Sequence, residues 1–324
     1  MSKRLLALFL CIALVLVAFA GCGGGGAEEA TPEYPTSAIK MIIPYTAGGG
    51  TDTLARTVGS YINLDGQNFV PTNIEGANGL VASMELYNSP NDGYTVMCGI
   101  PETWVAQFMT ESTDIELYKE MTPLASFVYD TNVISVKADS PFETLDDLIK
   151  YAKANPDFTI ASTGSGGSNE MTAYAIADAC GYDFTYVPFD GASKARVAML
   201  GGHNDAWLAQ GSEVKALYDA GEIRALCVAS EERVSFMPDV PTLKELNYDV
   251  VSGLHRSFWA PPGVSQETVA YLEGRLKEVF DNEEFKSLLK DDLGFEPLWV
   301  SSEDLGEISK ELAPKLSKWV DLIK

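Results

Sequence analysis

Two glycine-rich loops in the same local setting constrain the fold of this chain most. The first, residues 44–52 (PYTAGGGTD), follows the apolar run 39–43 and precedes a segment in which Leu54, Val58 and Ile62 recur at helical spacing. The second, residues 162–169 (STGSGGSN), follows the short apolar run 158–161 and also precedes a helical pattern. The succession of strand, glycine turn and helix is typical of α/β proteins.

The rest of the chain continues this alternation. Further strands are predicted at residues 94–100, within 124–136, and at 185–189, 206–209 and 224–229. A helix over residues 146–154 ends at Asn155-Pro156, another ends near Gly181, and the pattern after Gln266 is mostly helical. The sequence therefore predicts an α/β architecture with largely parallel sheets.

Length and charge limit the possible partners. The chain has 324 residues, enough for two domains of ordinary size, and its 23 Lys and Arg against 46 Asp and Glu give a net charge of −23. Such a surface repels phosphate backbones and argues against nucleic acid as a partner. It does not exclude a small anion, because salt screens a diffuse surface field within about 8 Å and donors inside a cleft act locally.

The N-terminus has the pattern of an export signal. Lys3 and Arg4 precede an apolar run over residues 5–20, which is too short to span a bilayer comfortably, and Gly21-Cys22 follows. This resembles a bacterial lipoprotein signal over residues 1–21, with Cys22 as the lipidated residue. An ordinary signal peptide with a chance cysteine is the alternative. Residues 22–36 would form a flexible tether, so we expect a lipid-anchored chain on the outer face of the cytoplasmic membrane.

The two loops suggest an anion site. Glycines allow backbone N–H groups to approach a ligand closely, and a helix N-terminus adds partial positive charge. Neither loop contains Lys or Arg, so a carboxylate fits better than a phosphate. Tight turns are the alternative explanation for one loop, but two loops in parallel positions favour binding.

Enzyme and metal patterns do not fit. The first loop lacks the Lys of a P-loop, the second lacks the third glycine of a dinucleotide fingerprint, and Gly164-Ser165-Gly166 is not a nucleophile elbow. His203 and His255 have no metal-ligand spacing, so neither a metal nor a cofactor is expected. Cys98, Cys180 and Cys227 are scattered, which favours buried thiols over a disulfide framework, although one pair among them remains an alternative.

An ordered set of motifs then points to a family. The chain resembles the solute-binding proteins of tripartite tricarboxylate transporters, the Bug family of extracytoplasmic receptors, from about Pro35 onward. The matching stretches, in family order, are residues 42–56, 91–95, 163–168, 187–191, 199–205, 223–226, 232–233, 238–242 and 260–263.

The resemblance implies a fold, a site and a function. The fold would be a two-domain, type II periplasmic-binding-protein-like clamshell, with domain 1 over residues 37–137 and 251–324 and domain 2 over residues 138–250. A monomeric receptor of this kind catalyses no reaction and delivers a small di- or tricarboxylate, or a related acid, to a large and a small membrane permease subunit. The alternative is a carboxylate sensor that signals to a membrane kinase. The ligand-binding positions implied by the two loops are Tyr45, Ala47, Gly48, Gly49, Thr51, Asp52, Thr163, Ser165, Gly166, Gly167, Ser168 and Asn169.

Some charged residues near these loops have two interpretations. Glu170 stands after the second loop, where the family commonly has a His-Leu pair, and we interpret it as a partner of the helix N-terminus rather than a group that binds a ligand ammonium. Asp52 poses the same choice. Arg256 either pairs with a ligand carboxylate or forms a salt bridge within the protein. The segment after Trp207, Leu-Ala-Gln-Gly, is a further candidate for the border of the site.

Overall fold

The computed structural model describes residues 34–323. The predicted signal peptide, Cys22 and the tether as far as residue 33 lie outside the described residues. The strands are β1 (Ile39–Ile43), β2 (Phe69–Asn73), β3 (Thr95–Gly99), β4 (Thr122–Lys137), β5 (Thr159–Thr163), β6 (Thr185–Phe189), β7 (Ala206–Gln210), β8 (Ile223–Val228), β9 (Gly253–Ala260) and β10 (Pro297–Val300). The helices are α1 (Gly50–Tyr61), α2 (Leu80–Tyr87), α3 (Pro101–Met109), α4 (Leu117–Glu120), α5 (Leu145–Ala154), α6 (Ser168–Cys180), α7 (Ala192–Leu200), α8 (Gly211–Asp219), α9 (Gln266–Asp281), α10 (Glu283–Ser287) and α11 (Ser302–Val320).

The strands form two sheets that share β4. In the first, β2, β1 and β3 are parallel neighbours, and β9 joins β3 to β4 in antiparallel pairing, with β10 on the other side of β4. In the second, β6, β5 and β7 are parallel, while β7 and β8 flank β4 in antiparallel pairing. The fold is mixed α/β, as expected.

The expectation of largely parallel sheets was wrong. The pairings that involve β4 and β9 are antiparallel. The reason is topological: β4 pairs with β9 over Thr122–Thr131 and with β7 and β8 over its remaining residues, so the same strand belongs to both sheets. The chain leaves the first sheet along β4 and returns to it along β9 in the opposite direction. The domain bounds derived from the sequence stay a prediction.

Local sequence signals explain several element boundaries. Thr144 caps α5 in a capping box with Asp147, and Gly181 ends α6 in a left-handed conformation with φ of 69°. The C-terminal ends of α5 at Ala154 and of α6 at Cys180 agree with the sequence prediction. The C-terminal region is mostly helical as expected, but the short strand β10 interrupts it between α10 and α11. Among the described residues, no helix has the length and apolarity needed to cross a membrane.

Aromatic side chains and thiols fill the interior. Trp104 and Trp259 pack edge to face with ring centroids 5.0 Å apart, and Trp207 is fully buried. Cys98, Cys180 and Cys227 are unpaired and buried, which confirms the prediction of buried thiols. Burial raises the pKa of Cys98 and of Cys180 to about 12, so these thiols stay protonated at neutral pH.

Candidate functional site

A cleft lies where five helices begin. Ten of the residues that line it lie in the first turn, or just before the first turn, of α1, α3, α6, α7 or α8. The lining residues are Tyr45, Gly49, Gly50, Thr51, Asn78, Ile100, Thr103, Thr163, Ser168, Asn169, Ala192, Gln210, Glu213, Leu254 and Arg256. Helix N-termini carry N–H groups without intrahelical acceptors and a partial positive charge, so their convergence favours an anionic ligand.

The first glycine loop is closed by Asp52. Gly48 has φ of 79°, which favours glycine, and its N–H donates to Asp52 Oδ2 at 3.0 Å. The other oxygen, Oδ1, accepts from Arg56 Nε at 2.8 Å and from Asn73 Nδ2 at 2.9 Å. The buried carboxylate of Asp52 is thus satisfied within the protein, which agrees with the helix N-terminal interpretation.

The second glycine loop has the same closure. Gly166 has φ of 67°, and its N–H donates to Glu170 Oε2 at 2.7 Å, while the Ser165 hydroxyl donates to the same oxygen at 3.0 Å. Glu170 therefore turns back onto the loop, and the structure agrees with its interpretation as a partner of the helix N-terminus. In both loops the carboxylate stands in the first helical turn, four residues after the glycine that it binds.

A buried ion cluster forms one wall of the cleft. Arg256 donates through Nε to Asp130 Oδ2 at 2.8 Å, through Nη2 to Glu213 Oε1 at 3.1 Å, and through Nη1 to the Thr51 hydroxyl. All three ionic side chains are almost completely buried. Burial raises the pKa of Glu213 above its usual value, while Arg256 opposes that rise. Because Asp130, Glu213 and Thr51 already accept from its guanidinium, Arg256 is a structural centre of the site and not a free cation.

Neutral polar groups complete the cleft floor. Asn169 Oδ1 accepts from Gln210 Nε2 at 2.7 Å and from Asn132 Nδ2 at 3.2 Å, and Thr103 and Ser168 share a hydrogen bond of 3.2 Å. These groups are buried. Burial also raises the pKa of Tyr45 to about 12, so its hydroxyl keeps its proton and can donate to an anion.

The Asn78 side chain packs against the second glycine loop. It lies between β2 and α2 with φ of 51°, and its Nδ2 donates to the carbonyl of Ser165 at 3.3 Å. A Cβ atom at Gly164 would lie 2.0 Å from Asn78 Oδ1, and one at Gly167 would lie 2.1 Å from Asn78 Nδ2. The second loop therefore needs glycine at these positions to admit the Asn78 side chain.

The predicted ligand-binding residues divide into two groups. Those that line the cleft are Tyr45, Gly49, Thr51, Thr163, Ser168, Asn169 and Arg256. Those that lie in the loops without lining it are Ala47, Gly48, Asp52, Ser165, Gly166 and Gly167. The second group shapes the backbone: the glycines supply unusual conformations or close approach, and Asp52 fixes the turn.

Sequence reasoning missed several lining residues. Asn78, Thr103 and Glu213 stand outside both glycine loops, and no local motif marks them. The sequence indicated Gln210 only in part: it lies in the Leu-Ala-Gln-Gly segment after Trp207, which was a candidate for the border of the site. It ends β7 and precedes α8, so it repeats the strand-to-helix setting of the two loops. No group of three or more metal-ligating side chains occurs within the described range 34–323.

Comparison with known proteins identifies the family. The model of the tripartite tricarboxylate transporter family receptor matches residues 55–324. The chain belongs to this family. A relative from Cupriavidus necator, a protein of the UPF0065 group, is 28% identical over 298 residues, which cover 89% of this chain and 88% of the relative.

Solved structures confirm the predicted two-domain periplasmic-binding-protein fold. The periplasmic binding protein BugD is 26% identical, covers 88% of this chain and 97% of its own, and superposes with a TM-score of 0.82. MatC from Rhodopseudomonas palustris, solved with bound malate, is 24% identical, with coverages of 90% and 100% and a TM-score of 0.81. At that identity the likeness of MatC concerns the fold.

Proposed function

We propose that this receptor is the extracytoplasmic solute-binding component of a tripartite tricarboxylate-type transporter. It captures a small organic carboxylate in the cleft between its two glycine loops and delivers it to the large and small subunits of a membrane permease. Lipid on Cys22 holds it at the outer face of the cytoplasmic membrane. The chain works as a monomer and leaves its ligand chemically unchanged.

One observation carries the proposal: five helix N-termini and a set of buried neutral donors face a single cleft. Tyr45, Thr51, Thr103 and Ser168 offer hydroxyl groups there, and Gly49 allows close approach to the backbone. Such donors match a carboxylate, and the buried Arg256 cluster keeps the wall that carries them fixed.

Ligand-dependent unfolding tests the proposal. Thermal unfolding of the purified receptor is measured against a panel of mono-, di- and tricarboxylates and acidic amino acids. A true ligand at a hundredfold excess over its Kd adds about 2.7 kcal/mol to the free energy of unfolding. The absence of a shift for every acid in the panel would refute carboxylate capture.

Charge variants test the loops. Gly49→Asp and Ser168→Asp each put a carboxylate beside the ligand, and like charges at close range cost several kcal/mol. We expect each to weaken carboxylate binding on the order of a hundredfold in calorimetry, while the matched neutral variants Gly49→Asn and Ser168→Asn lose far less. Equal losses in Asp and Asn variants would mean that size, and not ligand charge, controls the cleft.

Delivery and anchoring need separate tests. Deletion of the gene should abolish uptake of the labelled ligand in cells that keep the permease genes. Unchanged uptake, together with loss of ligand-induced transcription, would favour the alternative of a carboxylate sensor. Labelling with a clickable palmitate should mark the wild-type chain and not the Cys22→Ser variant, and labelling of both would exclude Cys22 as the lipid site.

A further inference from the structure

A second pocket adjoins the cleft. Its volume is about 150 Å³, and it shares Gly50, Ala192 and Glu213 with the cleft. The α7 helix contributes Ser193 and Arg196, and the neighbouring strand β7 contributes Trp207. The other lining residues are Gly48, Thr53, Ser212, Ala216, Asp292 and Leu293.

Arg196 is a partly exposed cation without a partner among the described residues. The other arginines in the described range hold acceptors: Arg56 binds Asp52, Arg233 binds Glu245 and Arg275 binds Glu278, while Arg224 binds backbone carbonyls and Arg256 lies in the buried cluster. In a chain with a net charge of −23, an arginine without any acceptor is unexpected. Its guanidinium is therefore available for an external anion.

The α7 helix differs electrostatically from the other four helices that begin at the cleft. An acidic residue occupies the first turn of α1, α3, α6 and α8, namely Asp52, Glu102, Glu170 and Glu213. The first turn of α7 contains none. The nearest acidic residue, Asp190, stands before the N-cap Gly191 and pairs with Lys194, and Arg196 adds a full charge one turn later.

Trp207 provides an independent observation. Its side chain is fully buried and lines the pocket, yet its indole Nε1 has no hydrogen-bond acceptor in the described structure. A buried N–H without an acceptor is costly, and such groups normally have a protein, water or ligand partner. The Ser193 hydroxyl, whose neighbour is Thr46 Oγ1 at 3.1 Å, stands at the start of the same helix.

Two carboxylates also line this pocket. Glu213 is engaged by Arg256 and by the Gln210 N–H, so it is not available to neutralise Arg196. Asp292 is exposed and lies beyond 4.0 Å of the guanidinium, since no ion pair joins them. Neither carboxylate forms an ion pair that would neutralise the charge of Arg196.

We propose that this pocket is a second acid-binding site, in which Arg196, the first turn of α7 and the Trp207 indole bind a carboxylate. The inference rests on the proposed function, because the carboxylate is either the distal acid group of the ligand in the cleft or a separate carboxylate ion. Both sources present the same chemistry to Arg196.

Calorimetry with paired ligands tests the site. Each dicarboxylate that binds is compared with the monocarboxylate of the same chain length, in wild type, Arg196→Gln and Arg196→Lys. The matched control is Lys194→Gln, which removes the same charge from the same helix but from a residue paired with Asp190 and Glu75. Circular dichroism and thermal unfolding establish that each variant folds.

The expected results separate the two sources. A loss of dicarboxylate affinity on the order of tenfold or more in Arg196→Gln, with monocarboxylate affinity unchanged and a smaller loss in Arg196→Lys, assigns the pocket to the distal acid group. A second equivalent of monocarboxylate that disappears only in Arg196→Gln assigns it to a separate ion. Lys194→Gln should resemble wild type in both cases.

Other results overturn the inference. If wild type binds carboxylates and Arg196→Gln does so with the same affinities and stoichiometry, the second site does not exist, although the proposed function stands. If Lys194→Gln weakens binding as much as Arg196→Gln, only a long-range field is acting and the site is rejected. If wild type binds no carboxylate at all, the proposed function itself fails.

Discussion

Glu170 accepts a hydrogen bond of 2.7 Å from the backbone N–H of Gly166, and this bond fixes the second glycine loop against the first turn of α6. The first loop repeats the device, since Asp52 accepts from the N–H of Gly48 at 3.0 Å. In each case the glycine has a positive φ and the carboxylate follows four residues later. Two loops that face one cleft are thus held in the same way before any ligand arrives.

This device gives the first prediction. Glu170→Ala removes a charge-assisted bond to a loop N–H, and we expect a loss of about 1–2 kcal/mol in the free energy of unfolding, measured in urea. Carboxylate affinity should fall as well, because the loop must then be ordered by the ligand. Glu170→Gln, which can still accept through its amide oxygen, should lose less of both. Unchanged stability and affinity in Glu170→Ala would show that the bond is not needed.

The alternation of strands and helices, the two glycine loops and the role of Glu170 could be predicted because each depends on residues near one another in the sequence. Asn78, Thr103 and Glu213 could not, since long-range packing brings them to the cleft from separate elements. The antiparallel pairing of β4 with β9 was missed for the same reason: strand direction depends on how distant segments meet. The partners of Arg256 were left open because Asp130 and Glu213 lie 126 and 43 positions away from it.

Gly50 and Gly49 are neighbours with different requirements. A Cβ atom at Gly50 would lie 2.5 Å from Arg256 Nη2 and 2.7 Å from Ser212 Oγ, and the buried guanidinium is held by its partners and cannot easily yield. We therefore expect Gly50→Ala to cost about 1–3 kcal/mol in urea unfolding. Gly49→Ala is the control, because its Cβ would meet only the Thr46 carbonyl at 3.7 Å and should change stability by less than about 0.5 kcal/mol. Equal effects would argue against close packing at Gly50.

Removal of the Arg256 charge should be among the most damaging changes in the site. Arg256→Gln leaves Asp130 and Glu213 as buried carboxylates without a cation, which costs about 3–5 kcal/mol in the free energy of unfolding. Arg233→Gln, which removes an exposed pair with Glu245, should cost less than about 1 kcal/mol. The triple variant Arg256→Gln, Asp130→Asn and Glu213→Gln should recover part of the loss. If it does not, the guanidinium stabilises the wall through packing instead of charge.

Glu213 should give a distinctive dependence of stability on pH. Burial raises the pKa of Glu213 in the folded state above the unfolded-state pKa of about 4.5. The contribution of Glu213 to stability is therefore fully present below pH 4.5, and it is lost as the pH rises through the higher pKa of the folded state. The free energy of unfolding of wild type minus that of Glu213→Gln should therefore decrease as the pH rises above about 4.5. Glu245 is the control, because hydrogen bonding to Arg233 lowers its pKa. The same difference measured for Glu245→Gln should therefore increase with pH. A difference that rises with pH for Glu213→Gln would contradict the assignment.

The contact between Asn78 and the second loop predicts an effect on binding that backbone strain cannot explain. Gly167 has φ of −118°, which alanine adopts readily, but its Cβ would lie 2.1 Å from Asn78 Nδ2. Gly167→Ala should therefore weaken carboxylate affinity, on the order of tenfold, because the second loop can no longer approach Asn78, which lines the cleft. Asn78→Gly removes the obstructing side chain and keeps a residue suited to the positive φ at that position. In calorimetry, the variant that combines Gly167→Ala with Asn78→Gly should lose less binding free energy than the two single variants lose together. We expect the difference, which is the coupling free energy, to be about 1–2 kcal/mol. Additive losses would mean that Gly167 is required for a reason other than Asn78.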